Sequence, residues 1–388
     1  MKLQARILGG LASFLLALGA CRMPAQDAAP EQRIARVLAG LRPADDSSVR
    51  WSLTERMAHY KTPGLSIAVV DGGRIAWARG FGVKEAGGSD PVTPATLFQA
   101  ASISKPVAAL ATMRLVQEGR LSLDTDVNEL LTSWKLPDNE LTRREKVTLR
   151  RILSHTAGLT VDGFAGFAPA EPLPTLPQVL DGVSPAKNDP VRVVAVPGTR
   201  SEYSGGGTTV MQLLVEDVTG IPYPELLKKT VLDPLGMTHS TFEQPLPAAL
   251  APQAAAAHDE EGKALSGKWR SYPMMAAAGL WTTPSDLALL IIDVQQTWAG
   301  ASSRVVDRGT IRQMLTVEQP PFGLGFLVEG RGKDLRFFHN GINNGFRASF
   351  VGYARRGQGA VVMVSSRGTE LPFEILRSIA AEYGWPDA

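Results

Sequence analysis

The stretch "FQAASISKPVAALATMRL", from Phe98 to Leu115, places two serines and a lysine just before a proline and an apolar run. Because proline is not tolerated deep inside a helix, the helix must begin within a few residues of Ser102. Serine and lysine three residues apart face the same way on a helix, so Ser102 and Lys105 are expected side by side. An amine in this place can take the hydroxyl proton, which makes Ser102 a candidate nucleophile and Lys105 its candidate base.

The Ser-x-x-Lys pattern is a weak signal by itself, since a chain of this size contains about one copy by chance. A second copy runs from Ser184 to Lys187, between a glycine and an Asn-Asp-Pro turn. No apolar helix pattern follows it. We therefore interpret the second copy as a chance match, and the apolar run after Ser102 distinguishes the first.

Two further stretches carry candidate site residues. In "SEYSGGGTTVMQLLVEDVTG", Tyr203 precedes three glycines and an amphipathic helix, and glycine lets the backbone approach a partner closely. In "FFHNGINNGFRASF", a strand pattern carries His339 and Gly341. A glycine within a strand often marks the close approach of a ligand or of another backbone. Neither stretch is decisive alone, because a loop tyrosine is more often there for packing.

The order of elements along the chain indicates an antiparallel sheet. "LSIAVVDGGRIAWARGFGV" reads as two strands joined by a tight Asp-Gly-Gly turn. Helical segments broken by Pro- and Gly-rich loops follow, from about Leu121 to Lys268, and strand patterns return after about Phe322. A closing helix runs from about Pro372 to Tyr383. Short turns between successive strands favour antiparallel pairing, so we predict an α/β (α+β) fold with an all-helical insertion.

Composition excludes several functional classes. The chain has 388 residues, of which 20% are charged and 44% hydrophobic, as in globular proteins. Its net charge is +2, which Lys2 and Arg6 account for, so no nucleic-acid partner is expected. Its five histidines show no H-E-x-x-H or other paired metal spacing, which argues against a zinc hydrolase, and no cofactor is implied. The chain lacks the G-x-S-x-G elbow of α/β-hydrolases.

The first residues, "MKLQARILGGLASFLLALGACRM", have the layout of a signal peptide over 1–20. The stretch from Leu18 to Cys21 resembles the lipobox of bacterial lipoproteins, in which the cysteine is acylated. This resemblance implies a periplasmic protein anchored to a membrane through Cys21, with residues 21–31 as a tether. Arg22 supplies no evident retention signal, which favours the outer membrane. The alternative is an ordinary signal peptide with Cys21 incidental.

In their order and spacing, the three motifs resemble those of the penicillin-binding-protein-like serine hydrolases. This group contains class C β-lactamases, D-alanyl-D-alanine carboxypeptidases and related serine esterases. Its pattern is Ser-x-x-Lys, then Tyr-x-Asn or Tyr-Ser-x, then Lys-Thr-Gly or His-x-Gly on a strand. The matching segments are Ser102–Lys105, Tyr203–Gly205 and His339–Gly341. The resemblance extends over about Arg33 to Trp385.

The resemblance implies a β-lactamase/transpeptidase-like domain over 32–388, with the site in a cleft between two lobes. The sheet lobe is expected at about 32–110 and 270–388, and the helical lobe at about 111–269. Ser102, Lys105 and Tyr203 would be catalytic, and the main-chain N–H groups of Ser102 and Ile342 would hold the oxyanion. His339 and Gly341 would line the substrate strand. The "LSHTAGL" stretch recurs in the family away from the chemistry, so its His155 is interpreted as structural.

Two departures from the family pattern bear on the substrate. Gly205 replaces an asparagine amide, and His339 replaces a lysine that would grip a substrate carboxylate. Arg347 follows shortly after and could reach the cleft to supply that cation. The departures favour a carboxylic ester, with β-lactamase or D-alanyl-D-alanine carboxypeptidase activity as the alternative. An alternative of another class is a β-lactam- or peptidoglycan-binding sensor without turnover, although such a sensor needs no placed base.

Overall fold

The structure is a computed structural model and describes residues 28–44 and 48–386. The predicted signal peptide and Cys21 lie outside these ranges. The predicted tether overlaps the first helix, which begins at Ala28, so its last four residues are helical. Within the two described ranges, no helix has the length and apolar character needed to span a membrane.

Eight strands and fourteen α-helices are formed by the described residues. The strands are β1 (Gly64–Asp71), β2 (Arg74–Gly82), β3 (Phe98–Gln99), β4 (Trp281–Thr282), β5 (Leu327–Glu329), β6 (Arg336–Asn343), β7 (Phe346–Tyr353) and β8 (Gln358–Val364). The helices are α1 (Ala28–Leu38), α2 (Leu53–His59), α3 (Ser104–Gln117), α4 (Val127–Leu130), α5 (Glu140–Arg144), α6 (Leu149–Leu153), α7 (Leu176–Asp181), α8 (Gly205–Thr219), α9 (Tyr223–Leu227), α10 (Asp233–Leu235), α11 (Met275–Ala278), α12 (Pro284–Ala299), α13 (Arg308–Met314) and α14 (Leu371–Tyr383).

Six of the strands form one sheet in the order β2-β1-β8-β7-β6-β5, and every neighbouring pair is antiparallel. The first hairpin therefore pairs with the last strand, which joins the two ends of the chain in the middle of the sheet. The segment between β2 and β5 supplies most of the helices. These elements confirm the predicted fold class of an antiparallel sheet with flanking helices.

Both faces of the central strands are buried, because helices cover the sheet on each side. On β1, Leu65, Ile67 and Val69 face the core that contains residues of α1 and α14. The alternate residues Ala68 and Val70 face the larger core, which includes α3, α8 and α12. This double burial explains why the sequence of β1 alternates only weakly between apolar and polar residues.

The β6–β7 hairpin fixes which residues face the helical region. Its two-residue turn pairs Asn343 with Phe346, Ile342 with Arg347 and Gly341 with Ala348. Side chains alternate between the two faces of a strand. Gly341 and Ala348 therefore lie on one face of the sheet, and Ile342 and Arg347 lie on the other. Ala348 belongs to the larger core, so Gly341 faces the helices that carry the other motifs.

Candidate active site

The structure places Ser102 and Lys105 side by side. A short 3₁₀ turn, Ala101–Ile103, leads directly into α3. The Lys105 Nζ atom lies 3.1 Å from Ser102 Oγ and donates a second hydrogen bond, of 2.9 Å, to the carbonyl of Ala277. Lys105 is only 4% exposed, so its amine is held between these two oxygens and away from bulk water.

The turn that contains Ser102 has a strained backbone that a neighbouring serine holds in place. Ala101 has φ +49°, in the left-handed region that residues with a Cβ seldom adopt. The Ser104 hydroxyl donates to the Ala101 carbonyl at 2.6 Å and accepts from the N–H of Leu280 at 3.0 Å. Ser104, the second serine of the stretch from Phe98 to Leu115, therefore positions the turn that contains Ser102.

Tyr203 lies against the same lysine. Lys105 Nζ is 4.9 Å from the centroid of the Tyr203 ring, and the ring of His339 is 6.2 Å from it, centroid to centroid. Tyr203 immediately precedes Ser204, whose hydroxyl caps the helix by accepting from the N–H of Gly207. The helix start thus places the tyrosine, and the three sequence motifs meet around one amine.

His155 also lies here, contrary to its interpretation as a residue away from the chemistry. Its ring is 4.4 Å from that of Tyr203, centroid to centroid, and Phe322 contacts it at 4.9 Å. The sequence reasoning missed it because the "LSHTAGL" stretch carries no spacing that ties it to the other motifs. The Ala277 carbonyl was missed as well, since a backbone acceptor leaves no mark in a sequence.

Gly341 allows β6 to touch the nucleophile turn. A Cβ at this position would lie 2.2 Å from the Ala100 carbonyl oxygen and 3.1 Å from Ala101 Cβ. The first distance is far inside van der Waals contact, so only glycine fits without movement. The mid-strand glycine therefore marks the close approach of another backbone, which is one of the two alternatives that the sequence left open.

The edge of β6 near Ser102 offers a main-chain donor. In a hairpin closed by a two-residue turn the last pair is hydrogen-bonded, so Asn343 bonds to Phe346 and the next pair, Ile342 and Arg347, does not. The Ile342 N–H consequently points away from β7. On that side β5 pairs with β6 only as far as Phe338. This direction is compatible with the predicted oxyanion role of Ile342.

A loop fills the space that an asparagine side chain would need at position 205. A Cβ on Gly205 would lie 2.9 Å from the Asp162 carbonyl oxygen and 3.1 Å from the Phe164 ring. The N–H of Gly205 donates to that Asp162 carbonyl at 3.2 Å, and that of Gly206 donates to the Val161 carbonyl at 2.9 Å. The departure from the family pattern is therefore a packing requirement. A cavity of about 640 Å³ opens between this loop and Tyr203.

The two histidines of the site are uncharged. Burial, and then the charge of Lys105, lower the pKa of His339 to about 3, although its Nδ1 donates a 2.6 Å hydrogen bond to the Asn340 carbonyl. Burial, Lys105 and His339 hold the pKa of His155 well below its usual value. At neutral pH His339 therefore carries no positive charge at the position where relatives with Lys-Thr-Gly have a lysine.

Arg347 lies on the other face of the sheet, so the predicted grip on a substrate carboxylate in the cleft is wrong. Its guanidinium donates to Glu370 at 2.7 Å and to the Thr369 carbonyl at 2.6 Å, and stacks 5.0 Å above the Phe373 ring centroid. The physical reason is the alternation of side chains along a strand. Arg347 pairs with Ile342, so its side chain lies on the face opposite to that of Gly341.

No metal centre is formed by the residues that the structure describes. Among them, no group of three or more histidine, cysteine, aspartate or glutamate side chains could hold an ion.

Comparison with known proteins identifies the family. The Beta-lactamase family profile matches residues 49–383. The octameric penicillin-binding protein homologue from Pyrococcus abyssi has a TM-score of 0.67 and 26% identity, over 86% of this chain and 76% of its own. D-alanine carboxypeptidase AmpC from Burkholderia cenocepacia has a TM-score of 0.69, over 91% of this chain and 99% of its own. Its identity of 17% speaks for the fold alone.

Protein flp of Staphylococcus aureus (strain N315) is 27% identical over 244 residues, which is 61% of this chain and 44% of that protein. The chain thus spans less than half the length of this curated relative. The profile match covers most of the chain, so the protein belongs to the beta-lactamase family, whose fold is that of serine hydrolases such as class C β-lactamases and D-alanine carboxypeptidases.

Gly341→Ala tests the contact between β6 and the nucleophile turn. The added methyl group overlaps the Ala100 carbonyl, so we expect the free energy of unfolding to fall by about 1 to 3 kcal/mol, as for other overpacked interiors. Urea unfolding measures this change. Gly163→Ala is the matched control, since a Cβ there meets nothing within 4 Å. Equal stabilities of the two variants would contradict the close approach.

His339 makes stability depend on pH. Its pKa is about 3 in the folded chain and 6.5 as a reference for the unfolded chain. Between these values the unfolded state binds a proton that the native state does not, so stability falls as pH falls. From pH 7 to pH 4 this costs about 3 kcal/mol.

Substitution His339→Asn removes this titration while keeping a side-chain donor for the Asn340 carbonyl. The free energy of unfolding of the wild type should therefore drop more steeply than that of His339→Asn between pH 7 and pH 4. Denaturant unfolding of both proteins at the two pH values measures the difference. Parallel pH dependences would show that His339 is not held neutral by burial.

Proposed function

We propose that the protein is an exported serine hydrolase that acts through an acyl-enzyme on Ser102, with carboxylic esters as its preferred substrates. The observation that carries the proposal is the 3.1 Å contact between Lys105 Nζ and Ser102 Oγ, beside the ring of Tyr203. A hydroxyl nucleophile with a placed base is the arrangement that acyl transfer requires.

The reaction has two halves. Ser102 Oγ attacks the ester carbonyl while its proton passes to Lys105 or Tyr203, and the resulting tetrahedral intermediate expels the alcohol. Tyr203 protonates the leaving oxygen. Water then attacks the acyl-serine, giving a carboxylic acid and restoring the Ser102 hydroxyl. Either Lys105 or Tyr203 can serve as the resting base: whichever of the two is unprotonated takes the Ser102 proton.

Main-chain donors are proposed to hold the oxyanion. The N–H of Ile342 points toward the edge of β6, and Gly341 keeps that edge in contact with the turn that carries Ser102. The N–H of Ser102 would be the second donor. Backbone donors held in this way need no reorganisation when charge develops on the carbonyl oxygen, which is the source of their catalytic effect.

Three features favour an ester without a carboxylate. His339 is neutral, Arg347 is paired with Glu370 on the far face of the sheet, and the loop at Asp162 replaces an amide at position 205. A β-lactam or a D-alanyl-D-alanine peptide presents a carboxylate, whereas a simple ester needs no opposing cation. The name of one structural neighbour, D-alanine carboxypeptidase, is the ground for keeping peptides as the second candidate.

The substrate preference is tested with two esters that differ by one charge. Phenyl butyrate and 3-carboxyphenyl butyrate have leaving phenols of nearly equal acidity, so their intrinsic reactivity is matched. We expect kcat/KM to be higher for the neutral ester, by about three- to tenfold, because the carboxylate is partly desolvated in the site without a compensating ion pair, at a cost of about 1 kcal/mol. Arg347→Ala should leave this ratio unchanged.

Nitrocefin and a D-alanyl-D-alanine peptide, measured on the same preparation, complete the comparison. A higher kcat/KM for either one than for phenyl butyrate would overturn the ester assignment in favour of the second candidate. Pre-steady-state kinetics separate an enzyme from a sensor: release of one equivalent of product followed by no turnover would contradict the enzyme and support the sensor.

We propose further that the protein is anchored to a membrane through an acylated Cys21 and faces the periplasm. The support is the basic start, the apolar run and the Leu-Gly-Ala-Cys sequence. A stably anchored protein needs two or more acyl chains, so removing the thiol should detach it. In fractionated cells Cys21→Ser should therefore appear in the soluble periplasmic fraction. Unchanged membrane association of Cys21→Ser would contradict the anchor.

A further inference from the structure

His155 occupies a costly backbone position next to Tyr203. It follows α6 and has φ +54°, in the left-handed region that is uncommon for residues other than glycine, although asparagine, aspartate and histidine adopt it more often than other side chains. Its side chain is buried, with the whole residue 6% exposed. A backbone conformation of this kind persists only where its surroundings hold it, and such positions cluster at functional sites.

The contacts of His155 are directed at Tyr203 and at the residues on both sides of it. The His155 carbonyl accepts the N–H of Glu202 at 2.7 Å. Its Nδ1 accepts the N–H of Ser204 at 3.1 Å, and its ring lies on the Tyr203 ring at 4.4 Å with an interplanar angle of 33°. Three consecutive residues of the tyrosine segment are therefore each held by a different part of one histidine.

The chemistry of these contacts selects one form of the imidazole. A backbone N–H can only donate, so Nδ1 must carry a lone pair and the ring proton must lie on Nε2. Burial and the nearby charge of Lys105 lower the pKa of His155, which keeps the ring in this neutral form at pH 7. An apolar side chain of similar size would fill the same space without offering Ser204 an acceptor.

We infer that His155 is a positioning residue, which fixes the Tyr203 phenol against the Lys105 amine by holding the backbone of the tyrosine segment from both sides. The inference rests on the proposed acid–base role of Tyr203. His155 touches neither the nucleophile nor the lysine through a hydrogen bond, so its effect on the reaction passes through Tyr203. Loss of the Nδ1 acceptor leaves the Ser204 N–H unpaired and the phenol free to leave its place beside Lys105 Nζ.

Two substitutions separate positioning from space filling. His155→Asn keeps a side-chain oxygen near the place of Nδ1, and asparagine tolerates a left-handed backbone. His155→Leu keeps the volume and removes the acceptor. With phenyl butyrate, we expect kcat of His155→Leu to fall by about 10²-fold, the lower end of what acid–base catalysis supplies. His155→Asn should recover at least tenfold of that loss, with KM nearly constant in both.

A double-mutant cycle with Tyr203→Phe gives a readout that a merely structural role would not move. If His155 acts through the phenol, His155→Leu should cost about threefold or less in the Tyr203→Phe background, because the group it positions is already gone. All rates are divided by the fraction of enzyme that reacts with a fluorophosphonate, which removes misfolded protein from the comparison. Should His155→Leu not fold, His155→Gly replaces it, since glycine adopts φ +54° without strain.

The outcomes separate the inference from the function on which it rests. If Tyr203→Phe retains full kcat, the proposed role of Tyr203 is wrong, and the inference falls with it. If Tyr203→Phe is impaired and His155→Leu costs the same factor in both backgrounds, the inference alone is overturned. The same holds if His155→Asn is no better than His155→Leu. A non-additive cycle together with rescue by asparagine supports positioning.

Discussion

The contact between strand β6 and the start of the turn that contains Ser102 is the constraint on which the site depends. It brings the backbone of Gly341 so close to the Ala100 carbonyl that no side chain fits between them. The sheet and the nucleophile helix come from distant parts of the chain, and this contact sets their distance. The edge of β6 with the Ile342 N–H, and the turn with the Ser102 N–H, are thereby held next to each other.

Around this contact the charges are arranged about one amine. Lys105 is buried and donates to Ser102 and to the Ala277 carbonyl, while its charge helps to keep His339 and His155 neutral. A neutral His339, whose ring proton lies on Nδ1, offers Nε2 as a hydrogen-bond acceptor but does not supply a fixed cation. A neutral His339 avoids charge repulsion with Lys105, and it offers no ion pair to a substrate carboxylate. The electrostatics of the site are in this way linked to the proposed ester preference.

Much of this arrangement could be predicted from the sequence, because it depends on local spacing. The Ser102–Lys105 pair follows from the helix period. The β1–β2 and β6–β7 hairpins follow from the glycine-containing turns between their strands. Strand alternation also predicts the position of Arg347. The two-residue turn after Asn343 pairs Arg347 with Ile342, and the side chains of this pair lie on the face of the sheet opposite to the cleft. Proximity along the chain to Gly341 and Ile342 does not decide which face of the sheet the Arg347 side chain occupies, whereas the turn length does.

Other features depend on contacts between segments far apart in the sequence. The loop at Asp162 that takes the place of a side chain at Gly205 could not be foreseen, since no pattern links the two positions. The left-handed backbone of His155 was equally hidden, because its cause is the tertiary contact with the segment around Tyr203.

The central claim is that Ser102 is the nucleophile and that Lys105 activates it. The most direct measurement is covalent labelling with a fluorophosphonate, followed by mass-spectrometric location of the adduct and by the rate of its formation. The account predicts one adduct, on Ser102, which is absent in Ser102→Ala and forms about 10²-fold or more slowly in Lys105→Ala. An adduct on another residue, or equal rates in the wild type and Lys105→Ala, would contradict it.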